Sequence, residues 1–128
     1  MSRGKYVWII VVLLAAIGAF VIFSPPWTGL IDESSTRQRS TELMTASVGD
    51  MLDGYKKEHG RFPSMEEGLK VLYPKYSNSR ELLDRWGHPF VYSPTAGGSR
   101  PFVLYSVGAN GIDEKGRGDD IDYWTVKK

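Results

Sequence analysis

Cysteine is absent from this sequence, and histidine occurs only twice. The chain therefore has no disulfide framework, no thiolate zinc site, no cysteine nucleophile and no lipid-modified cysteine. Any metal ion must be held by oxygen or histidine ligands. An excess of charge is also missing, because 16 basic and 15 acidic side chains leave a net charge of +1. The basic residues are scattered along the chain, so we expect no nucleic-acid binding.

Catalytic signatures are missing as well. At 128 residues the chain has room for one small domain, and it contains no internal repeat. No nucleophile and base pair, nucleotide loop or histidine cluster is visible. A hydrolase that used Asp119 and Asp120 would need a cleft, which a small sheet is not expected to provide. We therefore expect neither an enzyme nor a small-molecule substrate.

One long apolar run is present near the N-terminus. Tyr6 to Phe23 is an uncharged stretch of 18 apolar residues, which can just span a membrane as a helix. Arg3 and Lys5 precede it, and Asp32 is the first charge after it. This bias predicts a cytoplasmic leader, residues 1–5, a transmembrane helix, residues 6–23, and a remainder on the far side.

A cleaved secretory signal is the alternative for the same run. Its best small-residue site is Ala16-Ile17-Gly18. Cleavage there would leave the apolar stretch Ala19 to Phe23 at the new N-terminus, which argues against this alternative.

The next segment, residues 24–59, is predicted to contain a proline break and an amphipathic helix. The two prolines in Ser24 to Gly29 should break or kink the membrane helix. A helix is then expected from about Asp32 to His59, ended by Gly60 and Pro63. Its apolar positions recur at spacings of three and four residues, and we expect them to face a sheet: Leu43, Met44, Val48, Met51, Leu52 and Tyr55.

The rest, residues 60–128, is predicted to be a globular head. Ser64 and Glu67 have the spacing of a capping box, which predicts a short second helix with Leu69 and Leu72 turned inward. Residues 88–93 and 100–106 are rich in β-branched and aromatic residues and predict a hairpin with a long loop. Residues 121–126 alternate and predict a third strand. The expected fold class is α+β, a long helix packed on a small antiparallel sheet.

Three further residues are expected to have structural roles and not to bind a ligand. His59 lies at a predicted helix end, where it can contact exposed carbonyl groups. His88 lies in a turn between a glycine and a proline. Trp86 and the glycine after it are expected to form a packing corner that leads into the hairpin.

In this order, the pieces resemble the G-type major pseudopilins of bacterial type II secretion systems. The resemblance runs from the proline break to Trp124, and its markers are Tyr55 with HGRFPSMEEGLKVL, then DRWGHPFVY, LYSVGANG and GDDIDYW. It implies a single-pass inner-membrane protein with a cytoplasmic N-terminus and a periplasmic head. Such subunits assemble with other pseudopilins into a short filament that helps to export folded proteins.

The resemblance also implies a calcium ion in the loop of residues 106–124. Its implied ligands are all oxygens: the carbonyls of Val107 and Arg117, the side chain of Asn110, and the carboxylates of Asp119 and Asp120. Calcium accepts six to eight oxygens in loose geometry, whereas magnesium demands a tighter octahedron.

Two departures weaken the expected calcium affinity. Asn110 stands where the family usually has an aspartate, which removes one negative charge. The loop also looks about two residues longer than in the family, and the added length contains Asp113 and Glu114. Either acid could fold back to replace the missing charge. The alternative is a glycine-rich loop whose acids are simply solvated.

The N-terminus departs further from the family pattern. Arg3-Gly4 stands in the position of the short leader, but Lys5 replaces the usual phenylalanine and Ile9 the usual glutamate. We therefore expect no cleavage after Gly4. Two interpretations stay open, an atypical filament subunit or a pseudopilin-like head repurposed as a membrane-anchored binding module.

Overall fold

The structure, a computed structural model, describes residues 32–128. The predicted leader, the transmembrane helix of residues 6–23 and the proline break lie outside the described residues, so they stay predictions. Within residues 32–128, none of the helices is both long and apolar enough to cross a membrane.

The long helix α1, Glu33–His59, has 27 residues and confirms the expected helix. Charges suit its dipole, with Glu33 in the first turn and Lys56, Lys57 and His59 in the last. Gly60 ends it in the left-handed region, with a φ of 73°, and donates its backbone N–H to the carbonyl of Lys56 at 2.8 Å. This position favours glycine, as the sequence predicts.

The inner face of α1 differs from the predicted stripe at its N-terminal half. Val48, Leu52 and Tyr55 are buried as expected, but Leu43 is 74% exposed. Thr41 and Thr45 are fully buried instead, because a turn packs there and the backbone N–H of residue 85 donates to the Thr41 hydroxyl. Leu43 is two residues from each threonine, about 200° around the helix, and therefore faces the opposite side.

The predicted capping box forms, but the second helix is shorter and tighter than expected. Ser64 N donates to Glu67 Oε2 at 2.6 Å, and Glu67 N donates to Ser64 Oγ at 3.2 Å. The turns that follow lead to a 3₁₀ helix, Leu69–Leu72. Gly68 precedes it with a φ of 55°, a conformation that cannot continue an α-helix. Leu72 is fully buried and Leu69 packs partly against the core.

The sheet has three antiparallel strands in the order β1-β2-β3. Strand β1 is Val91–Pro94, β2 is Phe102–Ser106 and β3 is Ile121–Asp122. The hairpin of β1 and β2 confirms the prediction, with Val91 opposite Tyr105 and Pro94 opposite Phe102. The long loop before β3 therefore begins and ends on neighbouring strands.

The third strand is shorter than expected, because its second half is helical. After two residues of β3, the chain forms the short helix α2, Tyr123–Val126. The Asp122 side chain caps this helix and accepts the backbone N–H groups of Trp124 at 2.7 Å and Thr125 at 3.3 Å. An N-cap that satisfies two free donors favours the helix over continued strand pairing.

The core lies between α1 and the sheet, with the ring of Phe102 at its centre. Phe102 is fully buried, and its ring centroid lies 5.0 Å from that of Phe62, 5.3 Å from that of Tyr123 and 5.1 Å from that of Trp124. These rings pack β2 and α2 together, so the elements on either side of the intervening loop share one core. The observed fold confirms the α+β class.

Candidate metal centre

The loop between β2 and β3, residues 107–120, closes on itself through glycine. Gly108 has a φ of 68°, and a Cβ there would lie 2.3 Å from the carbonyl oxygen of Asp119 and 2.7 Å from its Oδ2. Only glycine permits that approach. The start of the loop therefore lies directly against Asp119 at its end.

Three carboxylates converge inside this closed loop. One oxygen each from Glu114, Asp119 and Asp120 lies within 4.8 Å of the others. Glu114 and Asp120 are half-buried, and Asp119 is exposed. Like charges this close repel one another, and a divalent cation among them would relieve the repulsion.

Asp120 has one oxygen fixed by the loop and one without a partner. Its Oδ2 accepts the backbone N–H of Glu114 at 3.1 Å and that of Gly116 at 2.8 Å. Its Oδ1 is buried and accepts no hydrogen bond. A buried carboxylate oxygen without a partner is costly, and a metal ion is one of the ligands that can satisfy it.

Asp119 is held in its charged form by the backbone across the loop. Its Oδ2 accepts the backbone N–H of Asn110 at 3.0 Å, and this bond keeps the pKa of the Asp119 carboxyl below its usual range. A carboxylate must be deprotonated to bind a metal ion, so this bond favours the ligating state.

The other three implied ligands are connected to the cluster through the chain or through hydrogen bonds: Val107, Asn110 and Arg117. Val107 is buried and adjoins Gly108, which lies against Asp119. The Arg117 carbonyl accepts the backbone N–H of Asp120 at 2.9 Å, and its second lone pair is left for another partner. Asn110 Oδ1 accepts the backbone N–H of Ile112 at 2.7 Å, so the asparagine oxygen is turned into the loop backbone.

The two acids of the longer loop have different environments. Asp113 accepts the hydroxyl of Tyr105 at 2.7 Å and pairs with Lys115 Nζ at 2.7 Å. The bond from Lys115, helped by that from Tyr105, lowers the pKa of Asp113 to about 2. Glu114 instead joins Asp119 and Asp120. The sequence offered both acids without a means of choosing between them.

A buried carboxylate anchors the start of the loop to the turn before β1. The Asp84 side chain accepts the Ser106 hydroxyl at 2.5 Å and the backbone N–H groups of Trp86 and His88, each at 2.9 Å. Ser106 Oγ in turn accepts the Gly108 N–H at 3.1 Å, and His88 Nδ1 donates to the Gly108 carbonyl at 3.1 Å. These bonds confirm the structural role expected for His88.

His59 is also engaged structurally, as expected for a helix end. Its Nδ1 donates to the Tyr55 carbonyl at 3.0 Å, and its ring stacks on that of Tyr55 with centroids 4.0 Å apart. These contacts confirm the structural role expected for His59 at the end of α1.

The donor set fits calcium better than magnesium or zinc. Its side-chain members are carboxylates and one amide, and its backbone members are carbonyls on a glycine-rich loop. Hard oxygen donors in loose geometry suit calcium, whereas zinc favours nitrogen and sulfur and magnesium needs near-ideal octahedral order.

Comparisons with known proteins point to one family. Residues 29–124 match the family described as Type II secretion system (T2SS), protein G. A Type II secretion system core protein G of Pseudomonas aeruginosa is 30% identical over 91% of this chain and 87% of its own length. A protein of the same description from Klebsiella pneumoniae is 29% identical over 95% of this chain and 91% of its own length.

A solved structure has the same fold. The major pseudopilin from the type 2 secretion system of enterohaemorrhagic Escherichia coli matches with a TM-score of 0.60 and 22% identity. The match covers 80% of this chain and 92% of that protein. With a helix on a three-stranded antiparallel sheet and a family match that spans three quarters of its length, this chain belongs to the type II secretion system protein G family.

Proposed function

We propose that this chain is a structural subunit of a type II secretion filament that helps to export folded proteins. The family match over residues 29–124, which covers the described chain as far as residue 124, is the observation that carries the proposal. The family is not one of enzymes. In this proposal the partners are other pseudopilins and further subunits of the same secretion system.

The proposed location is the bacterial inner membrane, with a cytoplasmic N-terminus and a periplasmic head. It is supported by the apolar run Tyr6 to Phe23 and by the basic residues that precede it. Lys5 and Ile9 depart from the pattern of ordinary filament subunits, so the proposed subunit is an atypical one, at a tip or an initiating site.

Deletion of the gene in its native host tests the filament role. We expect folded exported proteins to accumulate in the periplasm and to disappear from the culture medium, and the wild-type gene should restore export. A deletion strain that exports normally would contradict the filament role and would favour a repurposed membrane-anchored binding module.

We further propose that calcium stabilises the head by binding in the acidic loop. The partnerless Oδ1 of Asp120, beside two other carboxylates, is the observation that carries this proposal. Asp119 and Asp120 would hold the ion, with Asn110 and the carbonyls of Val107 and Arg117 as the ligands that the family implies. The ion supplies positive charge that holds the two ends of the loop together.

Calcium titration of the purified full chain in mild detergent tests this second proposal. Binding to the folded state alone adds about 2.7 kcal/mol at one hundred times Kd, which corresponds to a rise in Tm of about 10–20 °C. Asp120→Asn should remove most of that rise, and magnesium should cause much less of it. Melting curves that superimpose with calcium and with a chelator would mean that the acids are simply solvated.

A further inference from the structure

We infer that Glu114 is a calcium ligand of this chain and supplies the negative charge that Asn110 does not. The inference rests on the proposed calcium site and adds a ligand outside the five that the family implies. The Glu114 side chain lies close to those of Asp119 and Asp120, and one oxygen of each lies within 4.8 Å of the others.

The backbone around the site is shaped to receive the Glu114 carboxylate. A Cβ on Gly118 would lie 2.0 Å from Glu114 Oε2 and 2.4 Å from its Cδ, so the carboxylate occupies the space that any other residue's side chain would fill. Gly118 also has a φ of 58°. The Asp119 backbone N–H donates to the same Oε2 at 3.1 Å.

The amide nitrogen of Asn110 supports the Glu114 carboxylate. Its amide nitrogen lies 3.4 Å from Glu114 Oε2, while its oxygen is engaged by the Ile112 N–H at 2.7 Å. An aspartate at position 110 would face Glu114 with a like charge, whereas the asparagine amide faces it as a donor. The substitution and the added acid are therefore compatible with each other.

The position of Asp120 also depends on the Glu114 peptide. Glu114 donates its backbone N–H to Asp120 Oδ2, which leaves Asp120 Oδ1 as the buried oxygen without a partner. The same residue thus orients one carboxylate through its backbone and contributes a second through its side chain. The ligands that the family implies include only two carboxylates in this chain, and Glu114 makes a third. The number of charged ligands is a main determinant of calcium affinity.

Isothermal titration of calcium into the full chain in detergent tests the assignment. Glu114→Gln should raise the Kd by about tenfold or more. Asp113→Asn is the matched control, because Asp113 is the neighbouring acid and is held by Tyr105 and Lys115. It should leave the Kd unchanged. The double variant Asn110→Asp with Glu114→Gln should recover most of the lost affinity, and circular dichroism checks that each variant is folded.

Three results distinguish a wrong assignment of Glu114 from the absence of a calcium site. If the wild type binds calcium and Glu114→Gln binds it equally well, the site stands and Glu114 is no ligand. If Asp113→Asn weakens binding as much as Glu114→Gln, the effect is one of general charge and the assignment is wrong. If the wild type binds no calcium, both proposals fail.

Discussion

Alanine at Gly49 should destabilise the head, although alanine is the better helix former. Gly49 lies within α1, and a Cβ there would be 1.9 Å from Tyr123 Cε2 and 2.5 Å from its Cζ. Tyr123 is 1% exposed, and its ring contacts those of Phe102 and Trp124, with Lys127 Nζ donating to its hydroxyl. The ring therefore has little room to move away.

The expected magnitude follows from two opposing effects. Replacing a helix-interior glycine with alanine gains about 1 kcal/mol of intrinsic propensity. Overpacking a filled core costs about 1–3 kcal/mol and occasionally more, and a contact this short against a confined ring belongs at the upper end. We expect a net loss of about 2 kcal/mol, which corresponds to a fall in Tm of about 8–16 °C.

Thermal and urea unfolding of the purified full chain measure the effect. Gly54→Ala is the matched control in the same helix, since its Cβ would be 3.2 Å from Tyr76 Cε1, a close contact that a shift of a few tenths of an ångström would relieve. It should cost much less than Gly49→Ala. In a Tyr123→Leu background, Gly49→Ala should no longer destabilise. A Gly49→Ala protein as stable as the wild type, or a penalty that persists without the tyrosine ring, would refute the packing argument.

Three other predictions concern acid stability, the outer face of α1 and the N-terminus. The Arg61 side chain, and to a smaller extent the backbone N–H of Ser64, lower the pKa of Glu67 to about 2. The stabilisation from ionised Glu67 is therefore complete above the unfolded pKa of about 4.5 and is lost as the pH falls toward 2. The stability difference between the wild type and Glu67→Gln, measured by urea unfolding, should therefore shrink over that interval. Leu43→Lys should change stability by less than about 0.5 kcal/mol, whereas Leu52→Ala should cost about 2–5 kcal/mol. Membrane-extracted protein should retain residues 1–4 by intact mass, and protease added to spheroplasts should degrade the head.

The elements that the sequence predicts well are those with local signals. Helix α1 ends where Gly60 can adopt a left-handed conformation, and Ser64 with Glu67 forms the reciprocal bonds that their spacing indicates. The hairpin likewise follows from two β-rich runs around a turn-rich loop. Each of these features depends on residues within a few positions of one another, so composition and spacing are sufficient to predict it.

The features that the sequence misses depend on partners far along the chain. Leu43 has the spacing of a core residue, but a distant turn occupies that end of α1 and buries Thr41 instead. Residues 121–126 alternate like a strand, but the Asp122 side chain caps a helix there. Periodicity indicates that one face of a helix is apolar, but it does not indicate which part of that face packs against another element.

The acidic loop depends on the fold in the same way. Asp113 and Glu114 are adjacent and both acidic, so no spacing rule can decide which of them joins Asp119. The choice is made by Tyr105 on β2, whose hydroxyl holds Asp113, and by Gly118, whose missing side chain leaves room for Glu114. Tyr105 is placed by strand pairing and Gly118 by the closure of the loop. The resemblance therefore indicates which loop carries the proposed calcium site, while the tertiary structure determines which of the two acids joins Asp119 and Asp120.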